Sequence, residues 1–264
     1  MLGDLGGPTM TATATVTEIN RRRNLRLERP HHDWGRALRA LQRLFANKED
    51  TAQVFEIMQA LNGNAYARDY ARLLSTNDGG RTAYERVEIA ERLMDPKFTS
   101  RFPPGSVGEA YRTYLETEHL SAQGLIDESH KAIPIEELDR HHPYAWYFRR
   151  IRDVHDIWHI LTGYSRDALG EMCLVAFSYQ ETHAMGWALI GLGGFMRAHG
   201  PARWAARKAM LEARRHGKLA GWLPGEDYES LLMEPLADAR RRLNIATPTA
   251  YLAVPREQRD LAMV

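Results

Sequence analysis

The sequence lacks most of the features that mark a secreted, membrane-spanning or nucleic-acid-binding protein. Its 264 residues include one cysteine, Cys173, which excludes an intramolecular disulfide framework and favours a reducing compartment. Cys173 lies in an apolar run, where a cysteine is typically a small core residue. The longest stretch without a charge or histidine near the motif described below, residues 184–196, is shorter than the roughly twenty residues of a spanning helix. The formal net charge of +1 gives no argument for binding nucleic acid.

Strand patterns and internal repeats are also missing, because apolar and polar residues do not alternate over any useful length. From Trp34 onward, apolar residues instead recur at three- and four-residue spacing, which is typical of packed helices. We therefore predict an all-α fold, a single-domain helical bundle over residues 31–246. Residues 166–198 are apolar nearly all round and are predicted to form one long central helix. Residues 1–30 and 247–264 are predicted to be flexible tails.

Residues 143–162 are predicted to form a helix, and three potential metal ligands fall within one five-residue stretch of it, residues 155–159. His155 and His159 are i and i+4 neighbours on one face, and Asp156 lies within the same third of the circumference. A fourth potential ligand, Glu171, follows His159 after eleven intervening residues. Two imidazoles and two carboxylates, with room for water or substrate, suit one divalent metal ion. We expect Zn²⁺ first, with Mn²⁺, Fe²⁺ or Mg²⁺ as alternatives.

The turn between the two ligand-bearing segments supports this prediction. Gly163 suits the residue that ends the first helix, and Thr162 or Ser165 can cap the next one. A short turn makes the two helices antiparallel and brings Glu171 back towards the first. The alternative is a chance pair of histidines on a solvated helix, although a polar cluster inside an apolar helix pair needs a charge partner.

These residues resemble the signature of a known family. The pattern His-Asp-x-x-His, followed by eleven residues and Glu, is similar to that of the Coq-four family of ubiquinone (coenzyme Q) biosynthesis proteins. The resemblance covers roughly residues 50–246 and includes the approach from Tyr144 to Asp153, the upstream stretch 102–111 and the C-terminal stretch 234–245. The stretch just after Glu171 departs from the family pattern, which indicates a divergent member.

The resemblance implies a metal-dependent carboxy-lyase, or oxidative decarboxylase. It would remove the C1 carboxyl group from a polyprenyl-hydroxybenzoate intermediate of ubiquinone biosynthesis and hydroxylate that carbon. The catalytic candidates are Asp156 and Arg152, which lies about one turn before His155 on the same face. We expect Arg152 to pair with the substrate carboxylate; the alternative for Arg152 is a salt bridge to Asp156 or Glu171.

A non-catalytic scaffold is the contrasting hypothesis. It would bind a polyprenyl lipid and organise other quinone-biosynthesis enzymes at the membrane. The expected partners are an isoprenoid-tailed aromatic acid or lipid, those enzymes, a membrane surface and a second copy of the chain. We expect a cytoplasmic, peripherally membrane-associated protein if the source is bacterial, and the face of the mitochondrial inner membrane if it is eukaryotic.

Two further segments fit a lipid-linked role. In residues 201–218, alanines at 202, 205, 206, 209 and 213 form one stripe, and basic residues surround Trp204 and Leu211 on the opposite face. Such a face suits an anionic membrane, and a solvated cationic helix is the alternative. The glycine-bearing stretch 184–196 is a candidate wall for the isoprenoid tail, with tight helix packing as the alternative.

Two other metal-dependent classes fit the residues less well. A diiron carboxylate bundle needs two Glu-x-x-His pairs and two more glutamates, and the sequence offers one such pair, Asp156-x-x-His159. A phosphohydrolase of the His-Asp type would recruit His119 and Asp238, but it leaves Glu171 without a role.

Overall fold

Helices make up the regular secondary structure of the protein. The structure, a computed structural model, describes residues 32–47, 50, 52–61, 63–118 and 142–263. Within these residues there is no strand, and one isolated bridge pairs Ser106 with Pro235. The all-α prediction is confirmed, whereas the predicted tail over residues 1–30 lies outside the described residues.

The described helices are mostly short and follow one another closely. Up to residue 118 they are α1 (Trp34–Ala46), α2 (Ala52–Leu61), α3 (Ala65–Leu74), α4 (Gly79–Glu85), α5 (Ile89–Met94), α6 (Pro96–Thr99) and α7 (Val107–Thr117). From residue 142 onward they are α8 (Pro143–Asp153), α9 (His155–Thr162), α10 (Ala168–Thr182), α11 (Met185–Arg197), α12 (Arg203–Leu219), α13 (Tyr228–Leu231), α14 (Leu236–Arg242), α15 (Thr249–Leu252) and α16 (Arg256–Leu261). A 3₁₀ turn, Leu223–Gly225, separates α12 from α13.

Local sequence signals set several helix ends. The side chains of Ser106 and Asp167 each accept a hydrogen bond from the backbone N–H three residues later, at 3.1 and 2.8 Å, and so begin α7 and α10. Gly163 ends α9 with a φ of 79°, as its place in the sequence predicts. The cap of α10 is therefore Asp167 and not the predicted Thr162 or Ser165.

The core is built around α10, which packs against α11, α12 and the C-terminal helices. Its buried side chains include Leu169, Cys173 and Phe177, and Cys173 is fully buried as expected of a core cysteine. The approach of α12 is close, because a Cβ at Gly217 would lie 2.6 Å from the carbonyl oxygen of Phe177. The helix that carries Glu171 is thus fixed by packing along its length.

Two of the predicted helices are each divided in two. The stretch 143–162 is interrupted at Val154, between α8 and α9. The predicted single long central helix over residues 166–198 is wrong, because the chain leaves α10 at His183, whose φ of 50° is left-handed. Thr182 stabilises this break: its carbonyl accepts from the Arg68 guanidinium, and its hydroxyl accepts from the N–H of Ala184.

The C-terminal segment belongs to the domain and is not the tail that the sequence predicts. Residues 249–261 form α15 and α16, and Tyr251 and Val254 are fully buried in the main core. The Glu212 carboxylate on α12 accepts hydrogen bonds from the Thr249 hydroxyl and the Ala250 N–H, at 2.6 and 2.7 Å. This segment therefore contributes to the core beyond residue 246.

The glycines of α11 serve helix packing. A Cβ at Gly186 would lie 2.4 Å from the Met58 sulfur, and one at Gly194 would lie 2.4 Å from the Met172 sulfur. The space beside them is therefore filled by side chains of the same chain. For Gly186 and Gly194 this is the packing role given above as the alternative, and the isoprenoid channel along residues 184–196 stays a prediction.

No described helix combines the length and apolar character needed to span a bilayer. The surface of α12 has the predicted amphipathic form: Ala206, Ala209 and Ala213 are buried, whereas Trp204 and Leu211 are exposed by 64% and 55%. Basic side chains surround these two; the exposed ones are Arg203, Lys208, Arg214, Arg215 and Lys218. Ala205, at the edge of the predicted stripe, is exposed.

Candidate metal centre

The four predicted ligands come together where α9 turns into α10. One ligand atom from each of His155, Asp156 and His159 lies within 4.8 Å of the other two. The Glu171 carboxylate approaches from α10, with one oxygen 3.8 Å from Nε2 of His155 and the other 3.5 Å from Nε2 of His159. Two donors bound tetrahedrally to one zinc ion, each at about 2.0–2.2 Å, lie roughly 3.3 Å apart. The nitrogen–oxygen distances from Glu171 to His155 and His159 are thus close to the distance between two ligands of one cation.

His159 shows how the protein orients its ligands. Its ring is buried, and Nδ1 lies 3.0 Å from the carbonyl oxygen of Tyr164. Because a carbonyl only accepts, Nδ1 carries a proton, so whenever the ring is neutral the lone pair of Nε2 points towards Glu171. That Nε2 is buried and makes no well-formed hydrogen bond to the described residues; its charged neighbour is the Glu171 carboxylate, at the long distance of 3.5 Å. A metal ion would satisfy it, and a carbonyl that fixes the other nitrogen is usual for histidine ligands.

The charges in this cluster are strongly coupled. Burial alone would raise the pKa of the Glu171 carboxyl, but His159 and His155 outweigh burial and hold that pKa well below its usual range. Burial lowers the pKa of His159, but the Glu171 carboxylate and the Tyr164 carbonyl outweigh it and raise that pKa overall. Glu171 is therefore ionised and needs a cation beside it. A divalent ion bound between these side chains would meet that need without a proton on the imidazole.

Tyr114 on α7 is a further side chain beside the cluster. Its ring stacks on that of His159, with centroids 5.9 Å apart and an interplanar angle of 22°. Its hydroxyl is buried and has no hydrogen-bond partner among the residues that the structure describes. Burial raises the pKa of the Tyr114 phenol far above its usual value, and the negative charges of Asp156 and Glu171 raise it further. The phenol is therefore a neutral donor.

Arg152 has a different partner from those expected. Its Nε lies 2.6 Å from a carboxylate oxygen of Asp153, and both side chains are buried. The alternative prediction, a salt bridge to Asp156 or Glu171, is wrong as to the partner. Those two partners were predicted from one continuous helix over residues 143–162, and the helix is interrupted at Val154. Burial raises the pKa of Asp153 to about 6 even though Arg152 opposes the shift.

Comparison with known protein families agrees with the motif and extends it. The family model of the coenzyme Q (ubiquinone) biosynthesis protein Coq4 matches residues 35–249 of this chain. The chain belongs to the Coq4 family. The match is wider than the stretch 50–246 on which the resemblance was based, and it contains all four predicted ligands.

Curated Coq4 relatives are similar over about two thirds of this chain. A Podospora anserina protein named as the mitochondrial ubiquinone biosynthesis protein COQ4 is 24% identical over 190 residues, 71% of this chain and 60% of the relative. The mitochondrial COQ4 homologue of Danio rerio is 28% identical over 188 residues, 69% of this chain and 64% of the relative. The chain thus spans about three fifths of the length of these relatives.

The fold also has a solved counterpart. The crystal structure of a Nostoc punctiforme protein, described as a ubiquinone biosynthesis protein, matches with a TM-score of 0.59 at 18% identity. The match covers 82% of this chain and 100% of the other. It shows that the two chains share their helical architecture.

The turn between the ligand helices of this Coq4 family member is held by residues that the sequence did not indicate. The Tyr251 hydroxyl donates to the Asp167 carboxylate at 2.5 Å and accepts from the N–H of Ser165 and from the Arg259 guanidinium. Asp260 accepts from the N–H of Ala168, at the start of α10. The C-terminal helices thus secure the turn that provides the Tyr164 carbonyl and begins the helix of Glu171.

The rival metal sites gain no support from the described residues. Within the part of the chain that the structure describes, the His155, Asp156 and His159 group is the one cluster of three or more such side chains. Asp238, which a phosphohydrolase site would recruit, is on α14, half exposed and 2.9 Å from Arg241. His119 lies outside the described residues.

Proposed function

We propose that this member of the Coq4 family binds one divalent metal ion through His155, Asp156, His159 and Glu171. The observation that carries the proposal is the buried Nε2 of His159, which makes no well-formed hydrogen bond to the described residues and faces the ionised Glu171 carboxylate at 3.5 Å, a distance that suits two ligands of one cation. An imidazole nitrogen left without a partner costs free energy unless a ligand completes its coordination. The set of two nitrogens and two carboxylates favours Zn²⁺, with Mn²⁺, Fe²⁺ or Mg²⁺ as alternatives.

The proposed reaction is removal of the C1 carboxyl group from a polyprenyl-hydroxybenzoate, coupled to hydroxylation of that carbon. When CO₂ leaves, the bonding electron pair stays on the ring, and a bound metal ion would act as a Lewis acid for that charge. His159 is held in one tautomer and orientation by Tyr164, and Glu171 is held ionised by the two imidazoles. For the hydroxylation half we propose dioxygen as the two-electron oxidant: the acid, water and O₂ give the phenol, CO₂ and H₂O₂.

The proposed role of Arg152 requires that a substrate carboxylate meet the guanidinium through an N–H group other than Nε, or that it displace Asp153 from Nε. The existing pair is buried and 2.6 Å long, so its exchange has a high cost. Kinetics of Arg152→Ala separate the two roles. A substrate contact predicts a raised KM or lost turnover in protein that remains folded. A structural pair predicts a lower melting temperature, with kcat and KM of the folded protein unchanged.

The alternative proposal, a lipid-binding scaffold for other quinone-biosynthesis enzymes, is tested in a host strain that lacks its own Coq4 protein. For an enzyme, His155→Ala and Glu171→Ala abolish quinone production and leave assembly of the biosynthetic complex intact, while the carboxylated precursor accumulates. Glu181→Gln, on the same helix, is the matched control and should support production. Normal quinone levels in the two ligand variants would rule out the enzyme, and loss of the complex would favour the scaffold.

We also propose that the protein associates peripherally with an anionic membrane through α12, which suits an isoprenoid-tailed substrate. Trp204 and Leu211 are exposed at the centre of a basic face. The expected binding to vesicles that contain phosphatidylglycerol weakens as salt is added. Reversing Arg214 and Arg215 to Glu should lower vesicle affinity about tenfold or more, since each surface cation contributes about 1 kcal/mol. Arg241→Glu, on α14, is the control, and equal effects of the two changes would contradict this surface.

A further inference from the structure

A second unsatisfied polar atom lies next to the metal ligands. Few buried side-chain atoms of the described residues lack a hydrogen-bond partner, and two of them, Nε2 of His159 and the hydroxyl of Tyr114, belong to stacked rings. A buried polar atom without a partner is uncommon in a native protein and calls for an explanation. The proposed metal ion accounts for the nitrogen. It does not account for the hydroxyl.

The position of Tyr114 is fixed by the fold. Helix α7 begins at Ser106, whose side chain caps it. Its first two N–H groups donate to carbonyl oxygens of the segment that follows α13: Val107 to Glu234 at 2.9 Å and Gly108 to Leu232 at 2.8 Å. At Gly108, a Cβ would lie 2.4 Å from the Phe102 ring, so the helix is closely packed there. These contacts fix the start of the helix whose Tyr114 ring stacks on His159.

The chemistry of this hydroxyl indicates its partner. A neutral phenol is a good hydrogen-bond donor, and it lies among carboxylates already assigned to the metal ion. We therefore expect the hydrogen-bond acceptor to be an atom of the bound substrate, and a negatively charged oxygen accepts the strongest such bond. A donor fixed in advance is also what stabilises charge that develops on a substrate oxygen.

We propose that Tyr114 is a substrate-binding residue whose hydroxyl donates a hydrogen bond to an anionic oxygen of an aromatic acid at the metal centre. The inference rests on the proposed metal function, and it adds a side chain from a third helix to the ligands on α9 and α10. It assigns Tyr114 to recognition of the acid and not to retention of the metal ion.

The test uses the full-length chain loaded with Co²⁺, whose visible absorption reports ligands near the ion, and 4-hydroxybenzoate as the probe. Tyr114→Phe keeps the ring and removes the hydroxyl. We expect it to bind Co²⁺ within about twofold of wild type, and to bind 4-hydroxybenzoate about tenfold or more weakly, as for a lost hydrogen bond to a charged group. The control is Tyr147→Phe, which removes another buried, unpartnered hydroxyl, on α8.

The other outcomes have distinct meanings. Equal affinity of wild type, Tyr114→Phe and Tyr147→Phe for the acid would overturn the inference. Loss of Co²⁺ binding in Tyr114→Phe, with an unchanged melting temperature, would also overturn it, because the hydroxyl would then serve the metal ligands. A wild-type protein that binds Co²⁺ but does not respond to 4-hydroxybenzoate refutes the assigned partner. A wild-type protein that binds no Co²⁺ refutes the metal proposal, and this inference with it.

Discussion

Glu171 and Glu181 lie ten residues apart on the same helix, α10, but their pKa values are shifted in opposite directions. Glu171 faces His155 and His159, and its pKa is held well below the usual range. Glu181 is buried near the other end, where one carboxylate oxygen accepts from the N–H of Leu223 at 2.9 Å. Burial raises the pKa of Glu181 to about 8, although Leu223 and a nearby arginine oppose the shift.

The difference shows that burial by itself does not make a buried glutamate a ligand. Both carboxyl groups lose hydration, which favours the neutral acid. Only Glu171 has imidazoles close enough to keep it ionised, and so only Glu171 is suited to a cation. The amino-acid types alone did not separate the two, since a buried glutamate on an apolar helix is typical of either case.

The largest expected effect comes from exchanging each carboxylate for its isosteric amide. Glu171→Gln should lose stoichiometric binding of Zn²⁺, because the charge opposite the two imidazoles is removed. The loss should exceed the roughly 10- to 100-fold that changes in outer partners of a metal site produce. Glu181→Gln should bind Zn²⁺ as wild type does. Isothermal titration of both variants makes the comparison, and equal losses would contradict the distinction between the two glutamates.

The second-largest expected effect is on how the free energy of unfolding depends on pH, and Glu181 is its cause. Folding raises its pKa from an ordinary 4.5 to about 8, so the native protein holds this proton more tightly than the unfolded chain does. The contribution of Glu181 is therefore full below pH 4.5 and is lost as the pH rises to about 8. The corresponding fall in the free energy of unfolding is a few kcal/mol, with about 5 kcal/mol as its upper limit.

Urea unfolding at several pH values checks this expectation. Glu181→Gln stays neutral throughout, so its free energy of unfolding should fall less than that of wild type between pH 4.5 and 8. Glu91→Gln, an exposed glutamate on α5, is the control and should follow wild type. If Glu181→Gln and wild type fall in parallel, Glu181 does not carry a raised pKa.

The smallest expected effect is at the turn that holds the Glu171 end of the helix. Tyr251→Phe removes the hydroxyl that donates to Asp167 at 2.5 Å and leaves the buried ring in place. Zn²⁺ affinity should fall by about tenfold, at the low end of the range for partners outside the ligand set. The pH dependence of stability that belongs to Glu181 should not change. An unchanged Zn²⁺ affinity would show that the C-terminal helices do not position the ligands.

The sequence predicted that His155, Asp156 and His159 lie together because their spacing is local. His155 and His159 are one turn apart within the short helix α9, so the interruption at Val154 does not disturb them. Gly163, which has a positive φ, ended that helix where expected. Arg152 lies before the interruption and pairs with Asp153, so the alternative partners, Asp156 and Glu171, were wrong, and its contact with a substrate carboxylate stays a prediction.

Other features depend on contacts that the sequence pattern does not encode. The end of α10 at His183 requires a left-handed residue that is not glycine, and no turn signal marks it. The helices α15 and α16 are too short to show a helical period, so their part in the core went unrecognised. Tyr114 is three residues beyond Tyr111, which belongs to the motif region, and that spacing was the one signal that could have indicated it.

X-ray absorption at the zinc edge of the Zn²⁺-loaded protein measures the proposed coordination itself. We expect one zinc per chain, with two imidazole nitrogens at about 2.0–2.1 Å and carboxylate oxygens at about 2.0–2.2 Å. Loss of one imidazole from the spectrum is expected for His155→Ala. A sulfur neighbour at about 2.3 Å, which Cys173 alone among cysteines could supply, or a zinc content far below one per chain, would contradict it.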